Sequence, residues 1–122
     1  MTHFCTTIHR QTDFEICLKI PIKEIIFEHQ SLSRLGELDT ATILEMLERW
    51  KKVGRIALLQ WDLLHDEKSF QEAIGVLKEL PLEKFFAIRV QDLGAANWLR
   101  KHHSNLKLQW IVEGSNHNLK GL

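Results

Sequence analysis

Three small groups of polar residues in this 122-residue chain have the side chains that do chemistry, and each follows an apolar run. His65, Asp66 and Glu67 come after Ile56-Ala57-Leu58-Leu59, Gln91 and Asp92 after Phe85-Phe86-Ala87-Ile88-Arg89-Val90, and Glu113, Asn116 and His117 after residues 106–112. An imidazole beside carboxylates can act as general acid, general base or metal ligand, and an amide beside a carboxylate can hydrogen-bond a substrate. If the apolar runs are strands of a parallel sheet, all three groups fall on its C-terminal edge, where α/β proteins bind ligands. Gln91, Asp92, Glu113, His117, His65 and Asp66 are therefore the candidate substrate-binding residues, with no catalytic residue and no metal set assigned. Each group also has a structural reading. Acidic residues at 66 and 67 favour the start of a helix, Asp92 can cap one, and Glu113, Asn116 and His117 can be solvated tail residues.

Other chemistry-bearing residues form weaker groups. His102 and His103 are adjacent, so on a helix they point about 100° apart and cannot share one ion; placement near a helix C-terminus suits them better. Cys5 and Cys17 are too few for a disulfide framework and too far apart for a metal knuckle, so both read as reduced structural thiols. Either could be a nucleophile beside His3 or His9, but nothing in the sequence brings them together. Trp50, Trp61, Trp98 and Trp110 could box a ligand, yet each falls in an element where core packing explains it.

The elements that must position these residues alternate. Residues 14–20 and 22–29 read as two strands separated at Pro21, which lacks a ladder donor. A helix capped by Asp39 or Thr40 follows, with Ile43, Leu44, Leu47 and Trp50 on one face and Gly54 at its end. Residues 55–64 contain a near-continuous apolar run, expected of a central strand buried on both faces. A second helix runs from Glu67 or Ser69 to Leu80 and stops at Pro81; strand 85–90, helix 95–102 and strand 106–112 complete the chain. The expected order is β, β, α, β, α, β, α, β. The fold class is α/β with a mainly parallel sheet, like about half of a TIM-type barrel whose full length would be about 250 residues. Neither a G-x-G-x-x-G nor a G-x-x-x-x-G-K-S/T motif follows any strand, so a nucleotide site is unsupported.

Composition bounds the rest. With 44% hydrophobic and 26% charged residues the chain can bury one modest core, which suits a single domain over residues 1–122. Sixteen basic residues balance sixteen acidic ones, so charge gives no support to nucleic-acid binding. The apolar runs are too short to span a membrane and residues 1–5 lack signal-peptide character, so a cytoplasmic location is expected.

The stretch Val90-Gln91-Asp92-Leu93-Gly94, a helix, the strand Leu106-Lys107-Leu108 and then Asn116-His117-Asn118 resembles the N-terminal region of the U32 peptidase family, the collagenase-like proteases. The resemblance runs from about Ile25 to Asn118, and Leu64-His65-Asp66-Glu67 after a strand adds to it. It implies that the chain is the N-terminal half of a larger barrel, inactive alone, in a protein that carries a hydrolase label. Other members resemble RNA or quinone hydroxylation factors with an iron-sulfur cluster on later cysteines, none of which can be placed here, so no cofactor is expected in this chain. Three departures stand out. The family's Pro-Ala-Gly turn and first helix are missing around Ile20-Pro21-Ile22, which implies an abbreviated first unit; Ile111-Val112-Glu113 replaces a polar Ser-Thr-Gln run; and Trp61 stands near where Asn is common. The alternative is a noncatalytic binding or scaffold module. In either case the partner is expected to be a missing second barrel half or another copy, because exposed parallel edges invite pairing.

Overall fold

The computed structural model describes residues 5–8, 10–63 and 67–111. Among them are five strands, β1 (Cys5–Ile8), β2 (Glu24–Phe27), β3 (Ile56–Trp61), β4 (Ala87–Val90) and β5 (Leu108–Trp110). Four helices alternate with them, α1 (Gln11–Leu18), α2 (Thr40–Lys52), α3 (Glu67–Glu79) and α4 (Leu93–His102), and a 3-10 turn at Leu82–Lys84 precedes β4. The strands lie in the order β1-β2-β3-β4-β5 and every neighbouring pair is parallel, the arrangement of half a TIM-type barrel.

That sequential order forces the helices to one side. Right-handed crossovers that always advance in one direction stack every helix on the same face. The core agrees: Phe14 and Cys17 of α1, Ile43, Met46, Leu47 and Trp50 of α2, Ala73 and Leu77 of α3 and Ala95, Ala96 and Leu99 of α4 share one apolar cluster with alternate strand residues such as Ile25, Phe27, Leu59, Trp61, Ile88 and Val90. The intervening residues Ile26, Leu58 and Ala87 form a separate small cluster on the other face.

The N-terminal third differs from the pattern reading. Residues 14–20 are not a strand: α1 occupies most of them, and a strand, β1, comes before it. The first βα unit is therefore complete and not abbreviated. Phe14, Ile16, Leu18 and Ile20 alternate, but Phe14, Cys17 and Leu18 also stand at helical spacing, and these are the ones that pack inward. Ile16 and Ile20 are 59% and 40% exposed. Joining two parallel strands requires a crossover, and the topology overrides an ambiguous local pattern. Arg49 of α2 holds the new helix through paired hydrogen bonds to Glu15, at 2.8 and 3.3 Å.

Elsewhere the elements fall where expected, with shorter strands. Asp39 caps α2, its Oδ1 accepting from the Thr42 N–H at 2.8 Å. Gly54 follows with φ +73°, a left-handed turn that suits glycine. Leu44 departs from its expected place: it is 40% exposed, and Met46 takes the inward position. Among the tryptophans, Trp50 and Trp61 are fully buried, whereas Trp110 is 47% exposed and is not a core residue. Trp50 also donates from Nε1 to the Ile56 carbonyl at 2.8 Å, tying α2 to the start of β3. Cys17 is buried, and desolvation, helped by Asp13, pushes its thiol up from the ordinary range. It is an inert core thiol.

Candidate functional site

The face of the sheet opposite the helices turns polar toward the strands' C-terminal ends. Gln60 of β3 stands opposite Arg89 of β4, and Arg89 opposite Gln109 of β5. Residues paired across a parallel ladder share a face, so these three side chains form a row. Glu28, one residue past β2, joins it. On this partly buried face Gln60 and Arg89 are half-buried and Gln109 is exposed, and the buried carboxylates of Glu28 and Asp62 need partners, which Gln60 supplies. Its Nε2 donates to Glu28 Oε2 at 3.4 Å and to Asp62 Oδ2 at 3.2 Å, and its Oε1 accepts from Arg89 Nη1 at 2.9 Å. This bonding fixes the amide orientation, since carboxylates only accept and guanidinium only donates. Two carboxylates and a guanidinium are thus held within reach of one amide.

The loop after β2 locks both carboxylates. Ser33 Oγ donates to Glu28 Oε2 at 3.0 Å, and the Arg34 N–H donates to Asp62 Oδ1 at 2.9 Å. Glu28, Ser33 and Asp62 are all buried. The Leu32 carbonyl accepts from the Asp62 and Leu63 N–H groups, so the loop bridges the ends of β2 and β3. His29 organises the loop from the helix side of the sheet. Its Nδ1 accepts from the Ser31 N–H at 2.9 Å, which leaves Nε2 to donate to Thr40 Oγ1 at 3.0 Å in the neutral ring. Burial holds the imidazole below its usual range, partly offset by the Asp39 and Glu79 carboxylates. Gly36 allows the loop to close, because a Cβ there would stand 2.3 Å from the His29 carbonyl oxygen.

The chemistry of this set is that of binding. The Ser33 hydroxyl is committed to a carboxylate and buried, and both nitrogens of His29 are occupied on the opposite face, so these two do not form a nucleophile–base pair. Acceptors from Glu28 and Asp62 beside the donor Arg89 suit a ligand with both cationic and anionic or amide groups. Among the described residues, no group of three or more His, Cys, Asp or Glu could hold a metal ion.

Of the six candidates from the sequence, two can be placed. Asp92 caps α4, its Oδ2 accepting from the Ala95 N–H at 3.0 Å. Gln91 lies beside it, two residues beyond Arg89, and its buried Oε1 has no hydrogen-bond partner among the described residues. Glu113, His117, His65 and Asp66 lie outside the described residues. Sequence reasoning missed Glu28, Gln60, Asp62 and Arg89. The available signal was a charge within or directly after an apolar strand, such as Arg89 between Ile88 and Val90. His102 and His103 form no shared ligand pair: His102 stacks on Trp98 with ring centroids 4.5 Å apart and contacts its carbonyl through Nδ1. No family model matches the chain, and neither does any curated protein or solved structure.

Proposed function

We propose that this chain is one half of a barrel, and that its C-terminal rim forms one wall of a substrate site completed by a second half. The observation that carries this reading is the row Glu28–Gln60–Arg89 on the helix-free face, bonded side chain to side chain. Such a row is costly unless a further surface shields it or a ligand uses it. The resemblance of Gln91-Asp92-Leu93-Gly94 and its flanks to the U32 peptidases suggests a peptide or another amide as substrate, by analogy alone. On this reading Glu28, Arg89 and Gln91 bind, Gln60 positions, and the chain by itself does not turn substrate over. Digestion of casein and of a mixed peptide pool, followed by mass spectrometry, should show no cleavage by the chain. A thermal-shift screen against di- and tripeptides should give hits whose stabilisation disappears in Arg89→Ala. Cleavage by the isolated chain, or hits indifferent to Arg89→Ala, would reject the assignment.

A noncatalytic assembly module is the second reading, favoured by the exposed apolar residues Ile16 and Ile20 beside β1 and Trp110 on β5. On both readings the second half, whether another polypeptide segment or a second copy, pairs along those edges. Light scattering at increasing concentration should show association that Trp110→Glu weakens; a monomer at all concentrations counts against pairing between copies.

A further inference from the structure

At the opposite end of the sheet from the polar row lies a surface of different character. A groove of about 450 Å³ runs between the C-terminal half of α2 and the turn at Pro81. Leu44, Leu47 and Pro81 make its apolar part, and Lys51, Lys52 and Lys84 stand around it with Glu48 as the one carboxylate. A second groove of about 550 Å³ adjoins it through Lys51 and Lys84 and adds Arg55, Glu83, Lys107 and the partly exposed ring of Phe86, over which the Lys107 ammonium lies. Lys51, Lys52 and Lys84 enter no ion pair among the described residues. The last turn of α2 accounts for Lys51 and Lys52, since cations suit a helix C-terminus. It does not account for Lys84, which reaches the same groove from the 3-10 turn, or for Leu44, left exposed on an otherwise inward-packed apolar face.

We propose that this groove docks an acidic segment of another protein, anchored by a bulky apolar side chain. The anchor would rest on Leu44, Leu47 and Pro81, with flanking Asp or Glu meeting Lys51, Lys52 and Lys84. Charge complementarity selects this occupant. Three cations against one carboxylate disfavour a basic segment, and a purely apolar one would leave the lysines unpaired. A phosphate polymer would satisfy the lysines but leave the apolar floor in water. The volume lies within the range of clefts that bury a small ligand, enough for an apolar side chain. The groove is remote from the Glu28–Gln60–Arg89 row, so this inference stands whether or not that row binds a substrate.

Panning the full chain against a displayed library of random twelve-residue peptides should enrich sequences in which several Asp or Glu flank Leu, Phe or Trp. The best peptide, synthesised with a fluorophore, should bind about tenfold more weakly to the Lys51→Glu/Lys84→Glu double variant and severalfold more weakly to Leu44→Ser. These positions are exposed, and unchanged circular dichroism and melting would show that the variants fold. A glutamate-only peptide and a single-stranded oligonucleotide should bind at least about tenfold more weakly than the selected peptide, since neither fills the apolar floor. Failure to enrich any peptide, enrichment without acidic bias, an affinity unchanged in the double variant, or an oligonucleotide that binds as tightly would each overturn the proposal.

Discussion

A single imidazole sets the shape of the polar rim, and its titration should be visible in the protein's stability. His29 is buried and neutral, and its Nδ1 must stay unprotonated to accept from the Ser31 N–H. In an unfolded chain a histidine titrates near 6.5, whereas burial holds His29 lower. Between those values only the unfolded chain binds the proton, so acid favours unfolding. The contribution is complete above pH 6.5 and declines as the pH falls through that value toward the folded one. Urea midpoints at pH 7.5 and 5.0 should differ more for the native protein than for His29→Asn, whose side-chain oxygen can still accept from Ser31. Equal differences would remove His29 from the account. The residues of the polar row were hard to see in the sequence for a related reason. Glu28, Gln60 and Arg89 meet only through strand pairing across about thirty residues of chain, and local pattern reports no such distance. Asp92 was legible as a cap because its partner, Ala95, is three residues away.

Among the elements, those with strong end signals were legible and the one without them was not. The starts of α2 and α4 carry capping aspartates, and Pro81 ends the reach of α3. The start of α1 has no side-chain cap at Arg10, and the alternating residues 14–20 fit two periods. Only the need to cross from β1 to β2 decides between them. The caps should be measurable: Asp92→Ala removes the acceptor for the Ala95 N–H and should cost about 1 kcal/mol in chemical denaturation. Asp92→Asn, which keeps an acceptor, should recover most of the loss. If alanine and asparagine are equally destabilising, the charge at this rim matters more than the cap, and Asp92 becomes a stronger candidate for ligand contact. A Cβ at Gly94, two residues on, would stand 2.9 Å from Asp92 Oδ2, so enlargement there asks only that this carboxylate oxygen shift.

For the whole molecule, neutrality conceals an uneven distribution of groups. Charge balance argued against gathering a polyanion, but it said nothing of where the charges stand. The fold brings Lys51, Lys52 and Lys84 to one groove and Glu28 and Asp62 to the opposite end of the strands. The sheet should also be unequal in its resistance to opening. β3 is paired on both sides and packs through Leu59 and Trp61 into the main core, whereas β1 and β5 each have one neighbour among the described strands. Amide exchange should therefore be slowest in β3 and fastest in β1 and β5. Protection of β5 as strong as that of β3 would indicate that another strand covers it in solution.

The unbroken order of the strands bears on how the molecule is made. Each strand pairs with the one synthesised immediately before it, so no segment waits for a distant partner. A chain leaving the ribosome can add one strand and one helix at a time to a growing edge, at a low entropic cost of loop closure for each step. Nascent chains stalled after β3 should already resist protease across residues that, in a sheet with interleaved strand order, would stay open until synthesis ended.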